Sequence, residues 1–147
     1  MEYIMKLLTV FGLGAIELWA AIPAGFFLQL HPLETGIVAA TGAILGVLVV
    51  LKLGERMRTI LMHNGKSEDK KLGRIHRIWD RYGVEGLGML APLLVGAPLG
   101  AALGITLNAP VNRLLIWMSL GIVLWSAVFT LVGLLGLAGI EALGWAR

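Results

Sequence analysis

The stretch Glu17–Gly25, ELWAAIPAG, sets a carboxylate inside a long apolar run, with Pro23 six residues further on and Gly25 two beyond that. A charge at the centre of a bilayer costs roughly 2.5–3.5 kcal/mol on insertion scales. Such a residue needs a cation, a polar cavity or a proton. A proline removes a backbone donor and clashes with the preceding turn. The groups it frees cannot be left facing lipid. The stretch therefore reads as a charged, broken helix at membrane depth.

The rest of the chain fits that reading. It has 147 residues, of which 58% are hydrophobic and 14% charged, with a mean hydropathy of +0.86. Soluble domains carry about 25% charged residues, and so small a globule cannot hide this apolar excess. The expectation is an all-α integral membrane protein, one transmembrane domain spanning 1–147. Four apolar segments cover about 3–30, 36–53, 84–107 and 111–138. A crossing needs about 20 apolar residues. The first segment is interrupted by Glu17, Pro23 and Gly25, and the third by Pro92, Gly96, Pro98 and Gly100. The N-terminal run reads as retained sequence, because Glu17 interrupts it and Lys6 is its only Lys or Arg.

The spacing of Glu17, Pro23 and Gly25 recurs in Pro92, Pro98 and Gly100 at a shift of 75, which also sets Gly46 on Gly121. This indicates two pseudo-symmetric halves, 1–54 and 84–147. Each is a Gly/Pro-broken or re-entrant helical hairpin followed by a transmembrane helix. Corresponding broken segments point to a transporter-type site. If the broken segments are re-entrant, the halves form an inverted repeat with both termini outside. If all four segments cross, both termini are inside. Arg113 favours the first topology, Lys6 and Arg147 the second, and charge counting does not decide.

Between the halves, 55–83 forms a basic loop. From Lys52 to Glu85 there are nine Lys or Arg and five Asp or Glu, which places the loop in the cytoplasm and the protein in the cytoplasmic (inner) membrane. His63–Gly65 reads as a turn and Ser67 as a helix cap followed by Glu68 and Asp69. Leu72, Ile75, Trp79 and Tyr82 recur at helical spacing among Lys71, Arg74, Arg77 and Arg81, and Gly83 ends the helix. The result is a basic amphipathic interfacial helix whose Arg74, Arg77, Trp79, Arg81 and Tyr82 meet the lipid surface. Nucleic acid is not an expected partner.

Glu17 is the candidate proton- or substrate-binding carboxylate. Pro23, Gly25, Pro92, Gly96, Pro98 and Gly100 form the breaks, whose helix N-termini would attract an anion such as a phosphate head group. Arg113 completes the substrate- and proton-binding set. Gly42 and Gly46, and Gly96, Gly100 and Gly104, read as packing faces. His31, His63 and His76 lack metal-ligand spacing, and there is no cysteine. No cofactor, metal or enzymatic constellation is expected.

IELWAAIPAG and YGVEGLGMLAPLLVGAPLGAALG together resemble the small multidrug export protein family, which looks related to the DedA and VTT membrane proteins. The resemblance runs from about Gly12 to Gly104. Glu17, Leu18, Ile22 and Pro23 match the early motif. Tyr82, Gly83, Gly86 and Leu87 match the start of the second, and Pro92, Gly96 and Gly100 match it in character. It implies two inverted re-entrant hairpins and translocation of a lipid phosphate or a small amphipathic compound. Trp19 stands where the family has Arg, and Val95 where a hydroxyl residue is common. The Arg-rich second motif of DedA proteins is absent. The function expected is a small transporter of an anionic or amphipathic substrate, coupled to protons through Glu17. It would bind membrane lipids and assemble as a homodimer or higher oligomer. The alternative is a non-transporting membrane protein that binds lipid or a partner through its amphipathic helix.

Overall fold

The computed structural model describes the backbone over 1–61 and 73–142 and the side chains over 1–56 and 82–139. The His63–Gly65 turn, the Ser67 cap with Glu68 and Asp69, and Lys71 and Leu72 lie outside the described residues. So do the side chains of Arg74, Arg77, Trp79 and Arg81. The described chain forms six helices: α1 (Glu2–Ile16), α2 (Leu18–Phe27), α3 (Pro32–Leu61), α4 (Gly73–Leu94), α5 (Ala97–Thr106) and α6 (Val111–Ala142). Two contain stretches long and apolar enough to cross a bilayer, Pro32–Arg56 with 25 residues and Val111–Gly139 with 29, each of mean hydropathy 2.3. Both leave most of their surface uncovered, whereas the core helix of a soluble domain would be enclosed. The protein is an all-helical membrane protein.

Contacts fix the chain directions. The Tyr3 hydroxyl donates to Glu34 at 3.2 Å, Gly42 meets the Phe11 carbonyl, and Gly46 meets that of Ala15. Helix α1 therefore runs parallel to α3. Gly25 packs on Thr35, so α2 returns from the far end of α1 to the start of α3. In the other half, Arg113 bonds Glu85 at 2.6 Å, Gly121 meets the Gly88 carbonyl, Gly100 meets Ala91 and Met118, and Gly104 meets Leu114. The second arm of α4 runs parallel to α6, and α5 returns between them. Ser126 on α6 donates to the Gly36 carbonyl of α3 at 2.8 Å, while Gly54 near the end of α3 meets Ile105. Helices α3 and α6 are thus antiparallel.

The local backbone of the two halves recurs, but not at the shift of 75 that the proline spacing suggests. Leu28, Gln29 and Leu30 donate to Ala24, Phe26 and Gly25; Leu107, Asn108 and Ala109 donate to Leu103, Ile105 and Gly104. Every partner lies 79 positions further along. Gln29 and Asn108 both take positive φ, 58° and 63°, as polar residues in tight turns can. The same offset carries the buried stripe Thr35, Ala39, Ala43, Val47 and Leu51 of α3 onto Leu114, Met118, Ile122, Ser126 and Thr130 of α6. Glu17 therefore corresponds to Gly96 rather than Pro92, and Gly121 to Gly42 rather than Gly46. Proline letters mislead because the positions differ: Pro23 and Pro92 lie inside helices, and Pro98 lies in a first turn.

Gly83 separates two arms of α4 with φ 59° and ψ −161°, which agrees with a helix ending there. Helix α3 begins at Pro32 and runs on to Leu61, longer than its apolar segment, because Leu33, Glu34 and Thr35 extend its first turn and 54–61 contains no breaker but Gly54. The close seams follow from glycine. With no hydrophobic drive between helices in lipid, contact depends on how near backbones approach. Gly14 and Gly42 interlock with Ala39 and Phe11 of the facing helices. Gly42→Leu would push its side chain into the Phe11 carbonyl and should cost about 1–3 kcal/mol or prevent assembly. Gly12→Ala, where a Cβ meets nothing within 4 Å, should be neutral or stabilising by up to about 1 kcal/mol. Thermal unfolding of the two variants in detergent checks the contrast.

Candidate functional site

The two helix breaks meet. Glu17 ends α1 in an extended conformation, φ −148° and ψ 107°, and is also the N-cap of α2. Its N–H donates to Leu13 at 2.7 Å, and its own carbonyl accepts from Ala21 at 3.2 Å. The chain thus reverses at one residue with little loss of hydrogen bonding. The second reversal takes Val95 and Gly96. Gly96 caps α5 with φ 85° and ψ 152°, a region essentially reserved for glycine. A Cβ built on Gly96 would stand 3.2 Å from Oε1 of Glu17 and 3.6 Å from the Ile16 carbonyl oxygen. The carboxylate of one tip therefore lies against the bare backbone of the other.

The depth of this junction follows from the registers. Ala15 is level with Gly46, near the middle of Pro32–Arg56. Met89 accepts the Trp125 indole N–H at 2.8 Å, near the middle of Val111–Gly139. Both tips sit about halfway along the long helices.

Two helix N-termini converge on Glu17, that of α2 and that of α5. Each carries a partial positive charge from its unpaired N–H groups. The Glu17 Oε1 also accepts the indole N–H of Trp19 at 2.7 Å. Among the described residues the ion pairs are Lys6–Glu2 and Arg113–Glu85, and neither involves Glu17. The bond to its carboxylate comes from one neutral donor, the Trp19 indole. The Glu17 carboxylate lies beside Gly96, the N-cap of α5.

The other candidates fall at varying distances from the junction. Pro98 belongs to it, in the first turn of α5, where a missing N–H costs nothing. Gly96 belongs to it as the N-cap. Pro23 does not break α2, and the free donors of α2 begin at Leu18, before Pro23. Gly25 packs on Thr35 at the far end of α2, and Gly100 packs on Ala91 and Met118. Pro92 lies inside α4; it deprives the Gly88 carbonyl of an amide, and Gly121 lies against that oxygen. Arg113 is bound to Glu85, both half-exposed or more, at the start of α6 and away from the tips. Tyr82 is exposed and, with Gly83, Gly86, Leu87, Leu90 and Leu94, lines an apolar cavity of about 320 Å³ between α4 and α5. Sequence reasoning missed this cavity, and it missed the bond from Trp19 to Glu17, noting only that Trp19 replaces the family's Arg. A carboxylate and an indole at i and i+2 across a break were the signal. Among the described residues no group of three His, Cys, Asp or Glu could hold a metal.

Gly96→Ala would strain the cap and crowd the Glu17 oxygen, and should cost about 1–3 kcal/mol. Ala102→Gly, one turn inside α5, is the reference for a change of the same size. Thermal unfolding in detergent reads both.

A protein-family model described as "Putative small multi-drug export protein" matches residues 17–128, starting at the junction carboxylate. The comparisons with curated proteins and with solved structures returned no match.

Proposed function

The chain belongs to the small multi-drug export protein family, and we propose that it is a small membrane transporter that moves amphipathic compounds past the junction of its two tips. The observation that carries this reading is the meeting of Glu17 with Gly96 halfway along the long helices. Helix ends at that depth expose backbone donors that must line a cavity or be covered by protein. Broken helices in corresponding places of two halves are the form such sites take in transporters.

In this reading α1–α2 and α4–α5 are re-entrant hairpins of an inverted repeat, and only α3 and α6 cross. The hairpin directions, the antiparallel long helices and the recurrence at 79 positions support it. The basic segment after α3 lies on the cytoplasmic side of the inner membrane. Glu17 binds the proton that couples transport. A charge there at mid-depth favours assembly into a homodimer or larger oligomer, which would enclose it, and the basic arm of α4 rests on anionic lipid. The kinship to DedA proteins and a lipid-phosphate substrate draw no support from the junction, where the nearest side-chain group is a carboxylate.

Two outcomes test the reading. Glu17→Gln should abolish efflux of a fluorescent amphipathic compound from cells while expression and assembly stay at the wild-type level. Efflux at the wild-type rate would remove Glu17 from the mechanism. Topology is read by single cysteines at Leu33 and Asn112, equivalent exposed positions at the starts of α3 and α6. A membrane-impermeant thiol reagent should label them from opposite sides. Labelling from one side would mean four crossings and end the re-entrant reading.

A further inference from the structure

We infer that the Glu17–Trp19 pair is a recognition site for lipophilic organic cations, a conclusion that rests on the transporter reading and adds the charge of its substrate. The pair combines an acceptor and an aromatic surface. Trp19 Nε1 donates to Glu17 Oε1 at 2.7 Å, which ties the indole to the carboxylate, yet the Trp19 side chain stays 53% exposed. The exposed indole thus stands beside the carboxylate that it bonds. A cation over an indole face is attracted by the ring quadrupole, and more so when desolvated.

The surroundings exclude other classes. Ile16 on the first tip and Leu94, Val95 and Leu99 on the second are exposed, so the carboxylate sits in an apolar rim at mid-depth. A small hydrated ion would have to shed its water there with one carboxylate as its only charged ligand, too few for a hard cation. An anion would meet Glu17 head on. A monocation with its charge spread over an apolar body loses little hydration, covers the rim and neutralises the carboxylate. An Arg or Lys at position 19 would have closed the pair internally; an indole brings no charge of its own.

The test uses two ions of the same shape and opposite charge. Purified protein in neutral detergent is titrated calorimetrically with tetraphenylphosphonium and with tetraphenylborate, and empty micelles are subtracted. Saturable binding of tetraphenylphosphonium is expected, with none of tetraphenylborate. Glu17→Gln should weaken it at least about tenfold, Glu17→Asp by less, and Trp19→Ala by about two- to fivefold. Trp19→Ala leaves the carboxylate in place, so it remains informative if Glu17→Gln fails to assemble, which size-exclusion chromatography shows. Equal binding of both ions, preference for the borate, no binding of either, or wild-type binding by both Glu17→Gln and Trp19→Ala would each overturn the inference. So would binding that appears only when a dimer dissociates, since a second copy would then be the occupant. Charge-blind binding together with Glu17-dependent efflux would overturn the cation class and leave the transporter reading standing. Cation binding without efflux would do the reverse.

Discussion

In a membrane protein, a helix that stops halfway along its neighbours leaves backbone donors and acceptors in need of partners. Much of this molecule answers that constraint. The first reversal is confined to one residue, with Glu17 both accepting and donating main-chain bonds across it. The second uses a glycine whose φ of 85° turns the chain within two residues. Each tip then supplies what the other lacks: Glu17 brings negative charge to the partially positive start of α5, and Gly96 brings a backbone without a side chain, so that the carboxylate fits. Prolines are placed by the same logic. Pro98 stands where an amide would be unpaired, and the carbonyl that Pro92 leaves free is covered by Gly121.

Packing around the junction relies on small residues rather than on burial of large ones. Gly14, Gly42 and Gly46 bring α1 and α3 backbone to backbone, and Gly88 and Gly121 do so for α4 and α6. Each hairpin is thereby fastened to its own long helix. The halves meet differently, through Ser126 on the Gly36 carbonyl and through the tips. Thr35 and Thr130 are buried nearby without a hydrogen-bond partner.

Membrane character, four apolar segments, the two broken ones and the place of Glu17 at a break were legible in the sequence. Hydropathy and an intramembrane charge are strong local signals. The register of the repeat was not. Pro23 and Pro98 share a letter but occupy different helix positions, whereas the equivalent residues Gln29 and Asn108, or Thr35 and Leu114, share a backbone state or a burial and little else. The pairing of Glu17 with Gly96 was hidden for the same reason, since one side of it is an absent side chain. Gly42 and Gly46 could be read as a packing face, but only the fold says that α1 lies on it. Arg113 looked like part of the site because it is isolated in sequence; its partner Glu85 lies 28 residues upstream, at the other end of a hairpin that reverses in between.

The asymmetry at the tips also orders events in time. A ribosome delivers Glu17 to the membrane 79 residues before Gly96, so the first half enters with its carboxylate uncovered and the complementary tip unmade. Lipid is a poor host for that charge, and the translocation machinery or a proton must hold it until the second hairpin arrives. The reverse arrangement, with the carboxylate on the second tip, would shorten that exposure to the time needed to fold. In the re-entrant reading, the order of the two halves in the chain sets how long that carboxylate stays uncovered.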